Sequence, residues 1–162
     1  MKRYFVLDEN VLILAQKIEN DRGEPDDTSL RLLQAIDANC HSLVISDVCR
    51  KGWAAQLSAV SRTRSALTPN VMSILNSLII NAAKDHQFLY PDLILEIPEL
   101  KQLPAVDEGD RDFVQAAASV RGSVLASTDG PLLEALNRNG INISFGFEAL
   151  DPVRALSLAG PD

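Results

Sequence analysis

Short apolar runs alternate along this chain with amphipathic stretches of helical period, and two of the runs lead onto an aspartate. Phe5-Val6-Leu7 ends at Asp8, and Val124-Leu125-Ala126 reaches Asp129 through Ser127 and Thr128. Apolar runs this short, bounded by polar residues, read as buried strands. Strands that alternate with helices pair in parallel through right-handed crossovers. The expected fold is therefore a three-layer α/β/α sandwich around a central parallel sheet of four or five strands. In such open sheets ligands bind in the crevice at the carboxyl ends of the strands. That is where Asp8 and Asp129 fall.

The pattern predicts a strand at 3–7 and a helix at 10–19 with Val11, Leu14, Ala15 and Ile18 on one face. A polar loop at 20–27 follows, then a helix at 28–38 capped by Asp27 or Thr28. Residues 43–45 read as a strand, with Ser46 capping a helix to about 60. Thr68-Pro69 opens a further helix whose core face is Val71, Ile74, Leu75, Leu78, Ile79 and Ala82. The pattern is weak from 85 to 106, with a short strand at 93–97. Beyond it come a helix at 108–121, a strand at 123–126, a helix at 130–139, a strand at 141–145 and a closing helix at 147–158. No repeat, low-complexity segment or linker divides residues 1–162, so one domain is expected.

With 162 residues, 46% hydrophobic and 23% charged, the composition is that of an ordinary globular domain. No apolar run reaches the length of a membrane span. Met1-Lys2-Arg3 leads straight into the strand that carries Asp8, which argues against a cleaved signal peptide and for a cytoplasmic location. Cys40 and Cys49 fit no zinc or redox spacing and read as small buried hydrophobes. His41 and His86 lack partners at ligand spacing and read as structural or surface residues. A net charge of −7 argues against broad, non-specific electrostatic binding of nucleic acid. A local basic patch is nevertheless present: Arg50, Lys51, Arg62 and Arg64 lie in an acid-free stretch over 50–64. It reads either as an RNA guide or as a solvated helix face.

The acids at the strand ends are joined by a cluster at 107–112. A helix starting near 108 makes Asp107 its cap and sets Asp110 one turn inside, on the face of Phe113, Val114, Ala117 and Arg121. Asp110 then points toward the sheet, whereas Asp112 looks outward. Carboxylates gathered at one sheet edge raise each other's pKa unless a cation neutralises them. Mg²⁺ and Mn²⁺ prefer oxygen ligands and leave room for substrate phosphates. The residues thus point to a metal-dependent enzyme acting on phosphate esters.

At this level the chain resembles the PIN domain family. Phe5-Val6-Leu7-Asp8-Glu9-Asn10-Val11-Leu12 is similar to that family's opening strand, in which an Asp is followed two residues later by Asn, Ser or Thr. The stretch from Asp107 to Ala117, and then Leu125-Ala126-Ser127-Thr128-Asp129-Gly130-Pro131, is similar to its second half. The resemblance implies a metal-dependent ribonuclease acting on single-stranded RNA, many members being toxins of bacterial toxin–antitoxin pairs. It implies that Asp8, Asp110 and Asp129 share one or two Mg²⁺ or Mn²⁺ ions, with Asn10 and Ser127 assisting by hydrogen bonds and Asp107 in support. RNA, an antitoxin or other protein partner, and a second copy in a homodimer are the partners it brings.

One position departs from the family pattern. About six residues beyond a Ser like Ser46 the family places a Glu; this chain has Gly52 there, with Lys51 beside it. Asp47 is the nearest acid in sequence. A site one acid short either binds metal weakly and cleaves weakly, or serves as a non-catalytic PIN-like binding or scaffold module. A haloacid-dehalogenase-type phosphatase would want a second Asp where Asn10 stands. A receiver domain would want paired acids at the first strand and a phospho-accepting Asp in mid-chain.

Overall fold

The computed structural model describes residues 1–44, 46, 49–55, 71, 73–74, 88–89 and 94–161. Its centre is a parallel sheet of β1 (Tyr4–Leu7), β2 (Ser42–Val44), β3 (Phe88–Leu89), β4 (Ser123–Ala126) and β5 (Glu148–Leu150), in the order β3-β2-β1-β4-β5. The strands of the middle, β2 and β4, are buried at every position, and β1 at all but its first. A strand buried at consecutive positions has both faces covered, the signature of a parallel sheet sandwiched between helices.

The helices are α1 (Glu9–Lys17), α2 (Thr28–Ala38), α3 (Glu108–Ala118), α4 (Gly130–Arg138), α5 (Ile141–Phe145) and α6 (Pro152–Ala159), with a 3-10 turn at Pro98–Gln102. Residues 49–55 are also helical. α2 packs against α1 and α6, while α3 lies on β1 and β4. The layers close on Phe5, Leu7, Leu12, Leu32, Leu33, Ile36 and Leu43, all fully buried. Each such side chain contributes roughly 1.5–3 kcal/mol through removal from water.

Two expected elements are corrected. Residues 141–145 are a short helix, not a strand, although Ile141-Asn142-Ile143 alternates in the manner of one. Glycines at both ends impose the turn: Gly140 (φ 66°) and Gly146 (φ 71°) sit in the left-handed region, which favours residues without a Cβ. Ile143 is left 78% exposed, so the alternation reflects no buried face. The edge strand lies instead at Glu148–Leu150, pairing with β4, inside the stretch expected to be the closing helix. Asp151 then accepts from the Arg154 N–H and starts α6 with Pro152 in its first turn.

Smaller differences have local causes. Residues 94–97 form no strand. Asp27 is the α2 N-cap as expected, but its side chain makes no cap hydrogen bond; the carboxylate of Asp26 accepts from the Thr28 N–H instead. Cys40 is exposed because the chain leaves α2 through a left-handed residue there (φ 55°), whereas Cys49 is buried. His41 is buried, its Nδ1 accepting from the Arg3 N–H and its ring lying 5.5 Å from that of Phe5. Ser46 caps the helical residues 49–55, its Oγ accepting from the Cys49 N–H. His86, most of the helix opened by Thr68-Pro69, and the end of the helix expected to run to 60 lie outside the described residues. Among the described residues, no helix is long and apolar enough to cross a membrane.

Candidate metal centre

Register alone brings the first two acids together. β1 and β4 are neighbours, with Leu7 opposite Ala126, so the next residues in each chain, Asp8 and Ser127, leave the sheet side by side. The Asp8 N–H donates to the Ala126 carbonyl at 3.0 Å, extending the ladder one step. Ser127 Oγ donates to Asp8 Oδ2 at 2.6 Å, and the same Oγ accepts from the Asp129 N–H at 3.1 Å. One hydroxyl therefore ties both strand-end acids. The chain winds to β2 and β3 on one side of β1 and to β4 and β5 on the other, so this pair stands where the strand order reverses. That is the position at which open α/β sheets bind ligands.

Helix polarity adds the remaining acids. In a parallel sheet each crossover helix runs antiparallel to the strands, so it begins at their carboxyl edge. Asp8 caps α1 and Asp129 caps α4, Asp129 Oδ1 accepting from the Leu132 N–H at 3.0 Å. Asp107 and Asp110 form a reciprocal cap at the start of α3. The Asp110 N–H donates to Asp107 Oδ1 at 2.8 Å, and the Asp107 N–H donates to Asp110 Oδ2 at 3.1 Å. Three helix starts thus face one space.

That space is an open cavity of about 380 Å³ lined by Asp8, Glu9, Asn10, Asp107, Glu108, Gly109, Asp110, Phe113 and Asp129. Carboxylates dominate the lining, and among the described residues no Lys or Arg is part of it. Asp8 is only 2% exposed; burial pushes its carboxyl above the usual range, against the hydrogen bonds from Ser127 and the Asn10 N–H. Asp110 is pushed up to about 6, first by burial and then by the nearby charges of Asp107, Asp8 and Asp129. Glu9 is raised by burial and by Asp8 and Asp107. Uncompensated negative charge is the dominant property of the cavity.

The donor set suits a hard divalent cation, since among the described residues every charged group in the lining is a carboxylate. Asp110 and Asp129 each engage one oxygen with a backbone N–H, and among the described residues no donor engages the other. Asp8 accepts at both oxygens but retains lone pairs. Among the described residues, no three acidic, His or Cys side chains are gathered closely enough to hold an ion as they stand. Carboxylates without a counter-charge repel one another, so closing on an ion requires side-chain rotation.

Asp8, Asp110, Asp129, Asn10, Ser127 and Asp107 all fall at this edge. Asn10 is exposed, and its backbone N–H, at 3.4 Å from Asp8 Oδ1, makes its contact with Asp8. Arg50 and Lys51 are exposed on the helical residues 49–55; Asp47, Arg62 and Arg64 lie outside the described residues. Glu9 and Glu108 were not singled out by the sequence. Both occupy the first turn of a helix that starts at the carboxyl edge, and that position was the signal available. Comparison with protein-family models, with curated proteins and with solved structures found no match to this chain.

Proposed function

We propose that the chain is a metal-dependent endoribonuclease of PIN-domain type, in which Asp8, Asp110 and Asp129 hold Mg²⁺ or Mn²⁺ against a single-stranded RNA phosphodiester. The observation that carries this reading is the cavity's composition: carboxylates from three helix starts, with burial raising the carboxyls of Asp8, Glu9 and Asp110, and no cationic side chain among the described residues of the lining. A phosphate cannot approach such a lining unless a cation stands between. The helix N-termini behind the acids then favour the anion's charge.

The ion, when bound, supplies Lewis-acid stabilisation of the charge that develops on the phosphodiester. The chain's own residues fix the geometry. Ser127 holds the Asp8 carboxylate at the centre of the sheet edge, and its hydroxyl links Asp8 to the Asp129 backbone. Asp110 enters from α3 on the opposite side. Asn10, exposed at the cavity lining, offers an amide donor to a phosphate oxygen. Arg50 and Lys51 give an RNA strand a basic approach. An open cavity of this size fits an unpaired, splayed backbone better than a duplex. This reading brings a protein antitoxin and a second copy of the chain as partners, and RNA in the cytoplasm as the substrate.

Titration calorimetry with Mn²⁺ at pH 7.5, on wild type and Asp8→Asn, tests the metal centre. Wild type is expected to bind, and Asp8→Asn to lose most of the heat. Equal heats from the two proteins would remove Asp8 from the site. No heat from either would leave a non-catalytic binding module as the better account.

A further inference from the structure

We propose that Glu9 supplies the fourth carboxylate of the metal centre, its carboxylate standing within reach of a longer side chain at position 52. The inference rests on the metal-centre reading above and assigns it a residue that the strand-end acids do not include. Glu9 directly follows Asp8 and is the first residue of α1. It lines the carboxylate cavity with Asp110 and Asp129.

Its partner is the helical segment at 49–55. A Cβ built on Gly52 would lie 3.5 Å from Glu9 Oε2. That distance is ordinary contact, so alanine fits; a longer side chain at 52 would enter the volume that the Glu9 carboxylate fills. Positions 9 and 52, remote in sequence, are therefore close enough for a carboxylate at 52 to take the place of the one at 9. Glycine within a helix costs roughly 1 kcal/mol relative to alanine.

The charged groups that face Glu9 among the described residues are Asp8 and Asp107, both acids. Among the described residues no cation or hydrogen-bond donor engages its carboxylate. A half-buried carboxylate among like charges gains nothing from its protein neighbours. A divalent cation shared with Asp8 is the group that would compensate it.

The test is a double-mutant cycle read by Mn²⁺ calorimetry on the full chain: wild type, Glu9→Gln, Gly52→Glu and the double variant, with Asp8→Asn as reference. Glu9→Gln is nearly isosteric, and circular dichroism melts confirm folding of each protein. Glu9→Gln is expected to weaken Mn²⁺ binding at least tenfold. Gly52→Glu in the Glu9→Gln background should recover most of that loss, with Gly52→Asp as a smaller substitute if the longer side chain prevents folding. Gly52→Glu alone should give no tighter binding, because two carboxylates then compete for one space. Unchanged affinity in Glu9→Gln, with binding lost in Asp8→Asn, would overturn the role of Glu9 and leave the metal centre standing. Absence of Mn²⁺ binding by wild type would overturn both.

Discussion

Ser127 Oγ and Asp8 Oδ2 lie 2.6 Å apart across the β1–β4 pair, and this hydrogen bond joins the sheet register to the chemistry at its edge. Ser127 is fully buried, so nothing from solvent replaces its hydroxyl. Ser127→Ala is expected to lower stability by about 1.5–3 kcal/mol, the usual range for a hydrogen bond to a charged group. Urea unfolding at pH 8 with a chelator present measures it. An unchanged midpoint with an unchanged slope would show that the hydroxyl does not support Asp8.

A second prediction concerns pH. Asp110 is pushed up to about 6 in the folded protein, whereas an aspartate in the unfolded chain titrates near 3.9. Between these values the folded state holds a proton that the unfolded state has released. Stability therefore falls as pH rises through this window and levels off above about pH 6. The raised carboxyls of Asp8 and Glu9 act with the same sign. Thermal melts of the metal-free protein from pH 4.5 to 7.5 should show a declining midpoint, with a shallower decline in Asp110→Asn. Identical slopes for the two proteins would contradict the assignment.

How far the sequence reached can be followed residue by residue. The α/β/α architecture was legible because β1 and β4 are buried on both faces and must be apolar throughout. Asp8 and Asp129 were legible because a strand's last apolar residue marks the sheet edge. Asp107 and Asp110 were legible because side-chain acceptors three apart at a helix start can cap each other reciprocally. The stretch 141–150 was misread because five alternating residues carry too little period to outweigh two left-handed glycines. What stayed hidden was the closeness of Glu9 to Gly52, which exists only when residues 49–55 fold against the start of α1.

The misread segment yields a third prediction. Gly146 holds a φ of 71°, and a Cβ there would stand 3.1 Å from the Arg121 Cγ. Backbone strain in the left-handed region alone costs about 1–2 kcal/mol for a residue with a Cβ. Gly146→Ala should therefore lower the unfolding free energy by at least that amount. Gly130→Ala, where a Cβ meets nothing within 4 Å, should change it by less. Equal effects at the two glycines would argue against the turn that sets β5.

The central claim is that the carboxylate cavity cleaves RNA with a divalent metal, and the most direct measurement is cleavage of end-labelled, unstructured RNA of mixed sequence. Wild type and Asp129→Asn should be compared in Mn²⁺, each with a chelator control. Asp129→Asn keeps an acceptor for the Leu132 N–H, so the helix cap survives while the charge is lost. The account predicts internal cleavage by wild type that disappears with chelator and falls at least a hundredfold in Asp129→Asn. Cleavage that persists in the variant or in chelator, or no cleavage by wild type with enzyme in excess in either Mn²⁺ or Mg²⁺, would contradict it.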